Sequence, residues 1–346
     1  MVSAHLSSIA AAMPPAIRQQ SMWDECFAAR YAALTGARRI WNGAGVQTRH
    51  AAIDPRIDDV SSWSTAARMR RYLPEAVPLA KRAVTDALIA ADVLAAEIDL
   101  LVTVSCTGYA TPGLDLMLAH ELAMPSTLQR LNIGHMGCYA ALPGLAAAGD
   151  AAVARGMTAL LVCVELTSLH VQPPDRDIEQ LISHALFSDA AVAVVLRPAG
   201  PGLRLIDTAV CTDASHQTAM TWHITDLGFR MTLSPRVPAA LATSVGPTVE
   251  ALLRRNGLDC SDIAGWAIHP GGPRILDVCA RALALDDDAM APSRETLRDH
   301  GNCSSGTVLL VLERLLQQRS LDAGDHVVAL AFGPGLTLYA ALLQWT

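Results

Sequence analysis

Six stretches of the chain are apolar at nearly every position: IDLLVTVSC (98–106), TALLVCVEL (158–166), AVAVVLRP (191–198), LRLIDTAV (203–210), GWAIHP (265–270) and HVVALAFGPG (326–335). They do not alternate with polar residues, which is the pattern of strands in a sheet covered on both faces. Between them lie longer stretches with helical spacing: LPEAVPLAKRAVTDALIAAD (73–92), YAALPGLAAAGDAAVAR (139–155), VPAALATSVGPTVEALLRRNG (237–257) and SSGTVLLVLERLLQQR (304–319). Strand and helix in turn predict a layered α/β fold, with helices sandwiched between sheets.

The pattern occurs twice. Gly137-Cys138, a helix and TALLVCVE are echoed by Gly301-Asn302, a helix and DHVVALAFG. Likewise DLLVTVSCTGYATPG and AGWAIHPGGPRIL are each a strand followed by a Gly/Pro turn. Two related halves are expected, residues 1–200 and 201–346, meeting at a pseudo-twofold axis. No linker or low-complexity tract separates them, so they should pack as one body.

Composition narrows the choices. A chain of 346 residues, half of them apolar, has the material for a large core. A net charge of −7 without a basic stripe argues against nucleic acid as a partner. Lys81 is the only lysine, which nearly removes Schiff-base chemistry. No run of about 18 apolar residues predicts a membrane span, and MVSAHLSSIAAAMPP lacks the basic start of a signal peptide. The eight cysteines are scattered, with no CxxC pair and no His/Cys ligand spacing. Neither a metal site nor a disulfide framework is expected, and a reducing cytoplasm is the expected setting.

Three positions carry the chemistry. Cys138 follows LQRLNIGHMG, a strand-like run and a glycine, and is expected to open a helix whose amides and dipole lower a thiol pKa. His269 ends a buried strand in WAIHPGGPRIL, where rigid backbone would aim its imidazole at the strand ends as a base or an oxyanion donor. Asn302, in DHGNCSSGTVLL, starts a helix; an N-cap and an amide donor paired with His269 both explain it. If the repeat is real, Asn302 is the counterpart of Cys138 across the axis. The Gly333-Pro334-Gly335 turn in ALAFGPGLTLYAALL is suited to forming a cavity wall from backbone alone.

Taken together, GHMGCYAALPGL, ELTSLHVQPPD, HALFSDAAVAVVL, GFRMTLSPRVP, HPGGPRIL, HGNCSSGTVLLVLE and AFGPGLTLYAALL resemble the type III polyketide synthases, the chalcone-synthase-like family, in the family's order. The wording is most similar to bacterial members that make pyrones, resorcinols or tetrahydroxynaphthalene from CoA thioesters. The resemblance implies a five-layered αβαβα thiolase-like fold, a homodimer and a Cys138-His269-Asn302 triad. It also implies acyl-CoA and malonyl-CoA as substrates, with no resident cofactor. Phe187 matches the family's gatekeeper phenylalanine; the second gatekeeper position falls on Met231, a departure that would loosen the gate. Trp222, His170 and Cys106 fall where members vary the cavity wall, and Thr111 where a loop reaches the partner subunit's cavity. Bulk at Trp222 and His170 suggests a narrowed cavity with room redirected beside Met231 for an aliphatic tail. For CoA, Arg39, Gly271, Gly272 and Arg274 are the candidates, although the usual lysines of the basic segment are absent.

The rival readings share parts of this set. A β-ketoacyl-ACP synthase III has the same fold and triad but condenses once from a carrier protein. A silent thiolase-fold partner would lack the nucleophile. A papain-like hydrolase would carry C-G-[SA]-C-[WY] near its start, which this chain does not.

Overall fold

The computed structural model describes residues 4–346. Its strands are β1 Ala4–Ala12, β2 Ala16–Arg18, β3 Thr48–His50, β4 Leu100–Ser105, β5 Gln129–Gly134, β6 Ala159–Glu165, β7 Ala190–Arg197, β8 Leu203–Thr212, β9 Met220–Thr225, β10 Gly228–Leu233, β11 Ile263–Ile268, β12 His326–Gly333 and β13 Thr337–Trp345. All six apolar runs are strands. Nine of these strands hydrogen-bond in the order β11-β12-β13-β8-β1-β7-β6-β4-β5. The pairs β4/β5, β4/β6 and β11/β12 are parallel and the others antiparallel.

The join between the two ends of this sheet is narrow, three residue pairs between Ala4–Leu6 of β1 and Leu203–Leu205 of β8. The sheet folds over there and encloses helices. Ala141–Arg155 touches β4, β6, β7 and β1 of one end and also β8 and β13 of the other. Thr307–Gln318 lies against β11, β12 and β1. On the outer faces, Thr65–Ala91 covers β1, β6 and β7, while Val237–Arg255 covers β8 and β13. Helices thus lie outside, between and outside two sheet layers, the thiolase-like αβαβα arrangement.

This layering explains why the strands are apolar at every position. In β4, Val102 and Val104 face the inner helices, while Leu101 belongs to the outer core. In β6, Leu161 and Cys163 face inward, and Leu160 and Val162 outward. With period two and two dry faces, β6 leaves no residue for water and β4 leaves only Ser105 partly exposed.

Three of the four expected helices differ from expectation at their starts, and the fourth begins at Val237, where the sequence places it. The helix expected from 73 begins eight residues earlier at Thr65, where Ser64 caps it by accepting from the Ala67 N–H at 3.3 Å. Pro74 reads as a first-turn residue in the sequence, but the buried side chains of Arg68 and Tyr72 carry the helix past it. The stretch from 304 starts as a 3₁₀ turn, Ser304–Gly306, before the α-helix. The chain start, read only as lacking a signal peptide, forms β1, the strand next to the join.

Gly144, on the inner helix, lies against the sheet: a Cβ there would sit 2.9 Å from Leu161 and 3.3 Å from Val104. A Gly144→Val chain should therefore lose about 1–3 kcal/mol from overpacking, read as a lower urea midpoint with an unchanged slope.

Candidate active site

The turn ahead of the inner helix is set by glycine and proline. Gly137 has φ +81°, and a Cβ on it would stand 2.5 Å from Pro334 Cδ. Across the same contact, a Cβ on Gly333 would meet the Cys138 backbone N at 3.2 Å. The β12–β13 turn Gly333-Pro334-Gly335 is thus pressed onto the backbone that presents Cys138. Gly335, at φ +114°, completes the turn.

His269 extends β11 by one residue, its N–H donating to the Leu330 carbonyl at 2.8 Å, and its ring meets Phe332 edge-on at 5.6 Å. Its Nδ1 is sealed from solvent with no hydrogen-bond partner. Asn302 is pinned by its backbone to the Phe187 segment: its N–H donates to the Leu186 carbonyl at 2.8 Å, and its carbonyl accepts from the Ser188 N–H at 2.9 Å. Its Oδ1 accepts from the Ser304 N–H at 2.9 Å and the Thr307 hydroxyl at 3.3 Å. The oxygen thus caps the turn, as one reading of this asparagine expects, and Nδ2 faces the Cys138 side of the pocket.

Cys138, His269 and Asn302 line one pocket, with Phe187, Met231 and Gly271 around them. Its volume is about 20 Å³, room for a single water. A larger chamber of about 190 Å³ lies beyond Gly137 and Pro334, bordered by Cys106, His135, Thr221 and Trp222. Met231 and Trp222 are cross-strand partners in the β9–β10 hairpin, and Met231 is buried. Met231 lines the small pocket with Cys138, and the larger space borders Trp222. The Trp222 indole N–H donates to the Cys106 carbonyl at 2.8 Å, and its ring is 6.4 Å from that of Phe187.

Other candidates lie farther out. His170 borders a third cavity with Phe187 and Trp222, and both its nitrogens are committed: Nδ1 accepts from the Phe229 N–H and Nε2 donates to the Thr107 carbonyl. Thr111 is on an exposed loop outside these cavities. Arg39 and Arg274 are exposed and, among the described residues, form no ion pair. Their segments are neighbours, since a Cβ on Gly45 would meet Pro273 Cγ at 2.9 Å. Gly272, at φ +147°, caps the helix Pro273–Ala282.

One expectation is reversed. Cys138 does not open the helix, which begins at Ala141, and its thiol is pushed up to about 12. Burial dominates, and it outweighs the hydrogen bonds from Ser304 and Asn302 that favour the thiolate; the nearby Glu165 carboxyl also opposes it. Burial likewise pushes His269 down to about 3, so the imidazole rests neutral. Each group alone avoids charge, and a proton passed from sulfur to imidazole creates both charges together, each stabilising the other.

Two residues absent from the candidate set sit behind the sulfur. The Ser304 hydroxyl lies 3.8 Å from Cys138 Sγ and 3.3 Å from Cys106 Sγ. Glu165, fully buried at the end of β6, accepts from the Cys106 N–H at 3.1 Å, the Thr107 hydroxyl at 2.8 Å and the Ser305 hydroxyl at 2.5 Å. The signal for Glu165 was available: an acid at the end of an apolar run has to be satisfied by something. Among the described residues no His/Cys/Asp/Glu cluster suits a metal ion, and no helix is long and apolar enough to cross a membrane.

Removing the imidazole should leave the thiol without a proton acceptor. In His269→Ala, alkylation of Cys138 by iodoacetamide at neutral pH should fall at least about tenfold. Its rate should climb with pH through the alkaline range without a plateau, as followed by mass spectrometry of the Cys138 peptide; equal labelling of variant and wild type would refute the coupling.

The family description "Chalcone and stilbene synthases" matches in two parts, the N-terminal domain over residues 38–201 and the C-terminal domain over residues 210–345. The chain is 35% identical over 316 residues to 1,3,6,8-tetrahydroxynaphthalene synthase of Streptomyces peucetius subsp. caesius, covering 89% of this chain and 83% of that one. It is 34% identical over 321 residues to the α-pyrone-synthesis polyketide synthase-like protein Pks18 of Mycobacterium tuberculosis, covering 88% and 81%. Its fold superposes on the crystal structure of tetrahydroxynaphthalene synthase from Streptomyces coelicolor A3(2), a bacterial type III polyketide synthase, with a TM-score of 0.93 at 30% identity over 99% of both chains. With both halves matched and the whole fold superposing, the chain belongs to the chalcone and stilbene synthase family, the type III polyketide synthases.

Proposed function

We propose that this enzyme loads an acyl-CoA starter on Cys138, extends it with malonyl-CoA by decarboxylative Claisen condensation, and cyclises the chain to a pyrone, resorcinol or related phenol. The observation that carries this reading is the single dry pocket onto which Cys138, His269 and Asn302 converge. Transfer of the thiol proton to His269 gives the nucleophile, which attacks the starter carbonyl; the departing CoA sulfur takes the proton back. Malonyl-CoA then loses CO2, and the electron pair of the broken C–C bond passes into an enolate. The His269 ring N–H and the free Asn302 amide donate to its oxygen. In a pocket this dry such donors are not competing with water. The enolate carbon attacks the Cys138 thioester, a new C–C bond forms, and the sulfur leaves, ready to receive the lengthened chain. Arg39 and Arg274, free of carboxylates, hold the CoA phosphates at the rim.

A second copy of the chain completes the assembly. β5 is the edge of the sheet, and Gln129, Arg130, Leu131 and Asn132 are all exposed, leaving a row of backbone donors and acceptors unpaired on its outer side. The exposed Thr111 loop follows the adjacent β4, and is therefore placed to reach toward a partner across this edge.

Incubation with malonyl-CoA and acyl-CoAs of increasing chain length, without carrier protein, should yield cyclised products by mass spectrometry. A single condensation that requires acyl carrier protein would favour the β-ketoacyl synthase III instead. Asn302→Ala should slow malonyl-CoA decarboxylation about 10²–10³-fold, the loss of one oxyanion donor, and a rate within error of wild type would remove Asn302 from the chemistry. Light scattering should give the mass of a dimer, and Leu131→Arg should shift it toward monomer; a monomeric wild type would discard the β5 interface.

A further inference from the structure

Two histidines outside the pocket form a closed hydrogen-bond relay next to Asn302. His50 Nε2 and His300 Nδ1 are 3.1 Å apart, with the rings stacked at 5.3 Å. His300 Nε2 faces Arg314 Nη2 at 3.3 Å, and His50 Nδ1 faces the Pro14 carbonyl at 2.9 Å. The order of donors follows from the ends. A guanidinium only donates, so His300 Nε2 is an acceptor and the proton of that ring sits on Nδ1. That Nδ1–H donates to His50 Nε2, whose own proton must then sit on Nδ1 to reach the carbonyl. Two protons satisfy all three contacts. A third, on either ring, forces two donors to face each other.

The relay spans the segments that position the pocket. His300 ends the helix Asp287–His300, two residues before Asn302. On the other side, the His50 N–H donates to the Ser188 hydroxyl at 2.7 Å and its carbonyl accepts from the Asp189 N–H at 3.0 Å. The Ser188 N–H in turn holds the Asn302 carbonyl, and Phe187 is the residue between. We propose that the His50–His300 pair is a positioning clamp, which fixes Asn302 and the Phe187 side chain only while both rings are neutral. This rests on the role given to Asn302 above.

The surrounding charges favour the neutral pair. Arg314 comes from the helix Thr307–Gln318 and is itself held by Glu295 at 3.2 Å and Asp299 at 2.9 Å, both on the helix of His300. Asp299 pulls His300 up in pKa, but burial, His50 and Arg314 outweigh it and push it down to about 4. Arg298 on that helix is occupied by Asp299. Beside His50, Arg49 of β3 donates to Gln19 and to the His184 and Ala185 carbonyls, and Asp189 is turned to Ala52, Thr167 and Ser168. Neither touches the His50 ring, whose pKa is lowered mainly by burial. Protonation is therefore resisted until well below the ordinary histidine range.

The test is ¹⁵N NMR of the full-length enzyme labelled at histidine, with His50→Gln and His300→Gln used to assign the two rings. Both should carry the Nδ1–H tautomer at neutral pH, opposite to the Nε2–H form that free imidazole side chains prefer; His300 should stay neutral at about pH 5.5, a unit below the ordinary value, and His50 should titrate below the ordinary value. An Nε2–H ring at either position, or ordinary titration near pH 6.5, would overturn the clamp, and this readout needs no turnover. For function, His300→Gln keeps one acceptor for Arg314 and one donor for His50, and should hold kcat for malonyl-CoA decarboxylation within about threefold. His300→Phe keeps neither, and should lose at least about tenfold in kcat with KM changed less than threefold. Equal kcat in the two variants would reduce the pair to packing. Loss of all decarboxylation in wild type, with the tautomers as expected, would instead strike the proposed function and leave the clamp geometry standing.

Discussion

The contact between Pro334 and Gly137 is the constraint on which the site depends. A proline ring from one end of the sheet occupies the space where any side chain on residue 137 would stand, and the adjacent Gly333 lies on the Cys138 backbone. Neither turn could be placed without the other. Because the sheet is folded over at β1 and β8, these turns arrive at the mouths of the inner helices from opposite directions. Cys138 is thus held by packing between two distant parts of the chain, which fixes its place more firmly than a loop could.

The same burial governs the chemistry. It raises the thiol of Cys138, lowers the imidazole of His269 and makes each costly to charge alone. A neutral pair at rest suits the proposed chemistry, since the donors waiting there are not already spent on a permanent thiolate. Glu165 extends this logic inward: a fully buried acid whose oxygens are met by one amide and two hydroxyls, and whose own pKa is raised by burial. Around it, Ser304 links the sulfurs of Cys106 and Cys138. The polar groups of this centre are few, dry and for the most part bonded, which is the condition under which small displacements change reactivity.

Charge is handled differently at the periphery. Among the described residues, eleven of the 25 arginines pair with a carboxylate, and near the surface such pairs add little stability. Arg39 and Arg274 are among the arginines with no carboxylate partner within the described residues, and the contact of Gly45 with Pro273 brings their segments together. These two short segments are more than 200 residues apart in the chain, an adjacency that no local pattern carries.

What the amino-acid sequence determined by itself is the set of layers and the candidate side chains at 138, 269 and 302. Apolar runs without alternation demand a sheet with two dry faces, and that demand fixed all six expected strands. Glycines and prolines at 137, 271, 272 and 333–335 marked turns whose geometry admits little else. Local pattern failed where tertiary burial overruled it: the helix past Pro74, the role of β1 at the join, and the hairpin that puts Met231 opposite Trp222. Only the folded structure decided the protonation of Cys138. A helix start nearby argues for a lowered pKa, but desolvation acts on the whole charge, while the helix offers only the partial charges of a turn that begins three residues too late. The convergence of residues 138, 269 and 302 was likewise a matter of three dimensions, because separation along the chain says nothing of distance once two half-sheets have closed on each other.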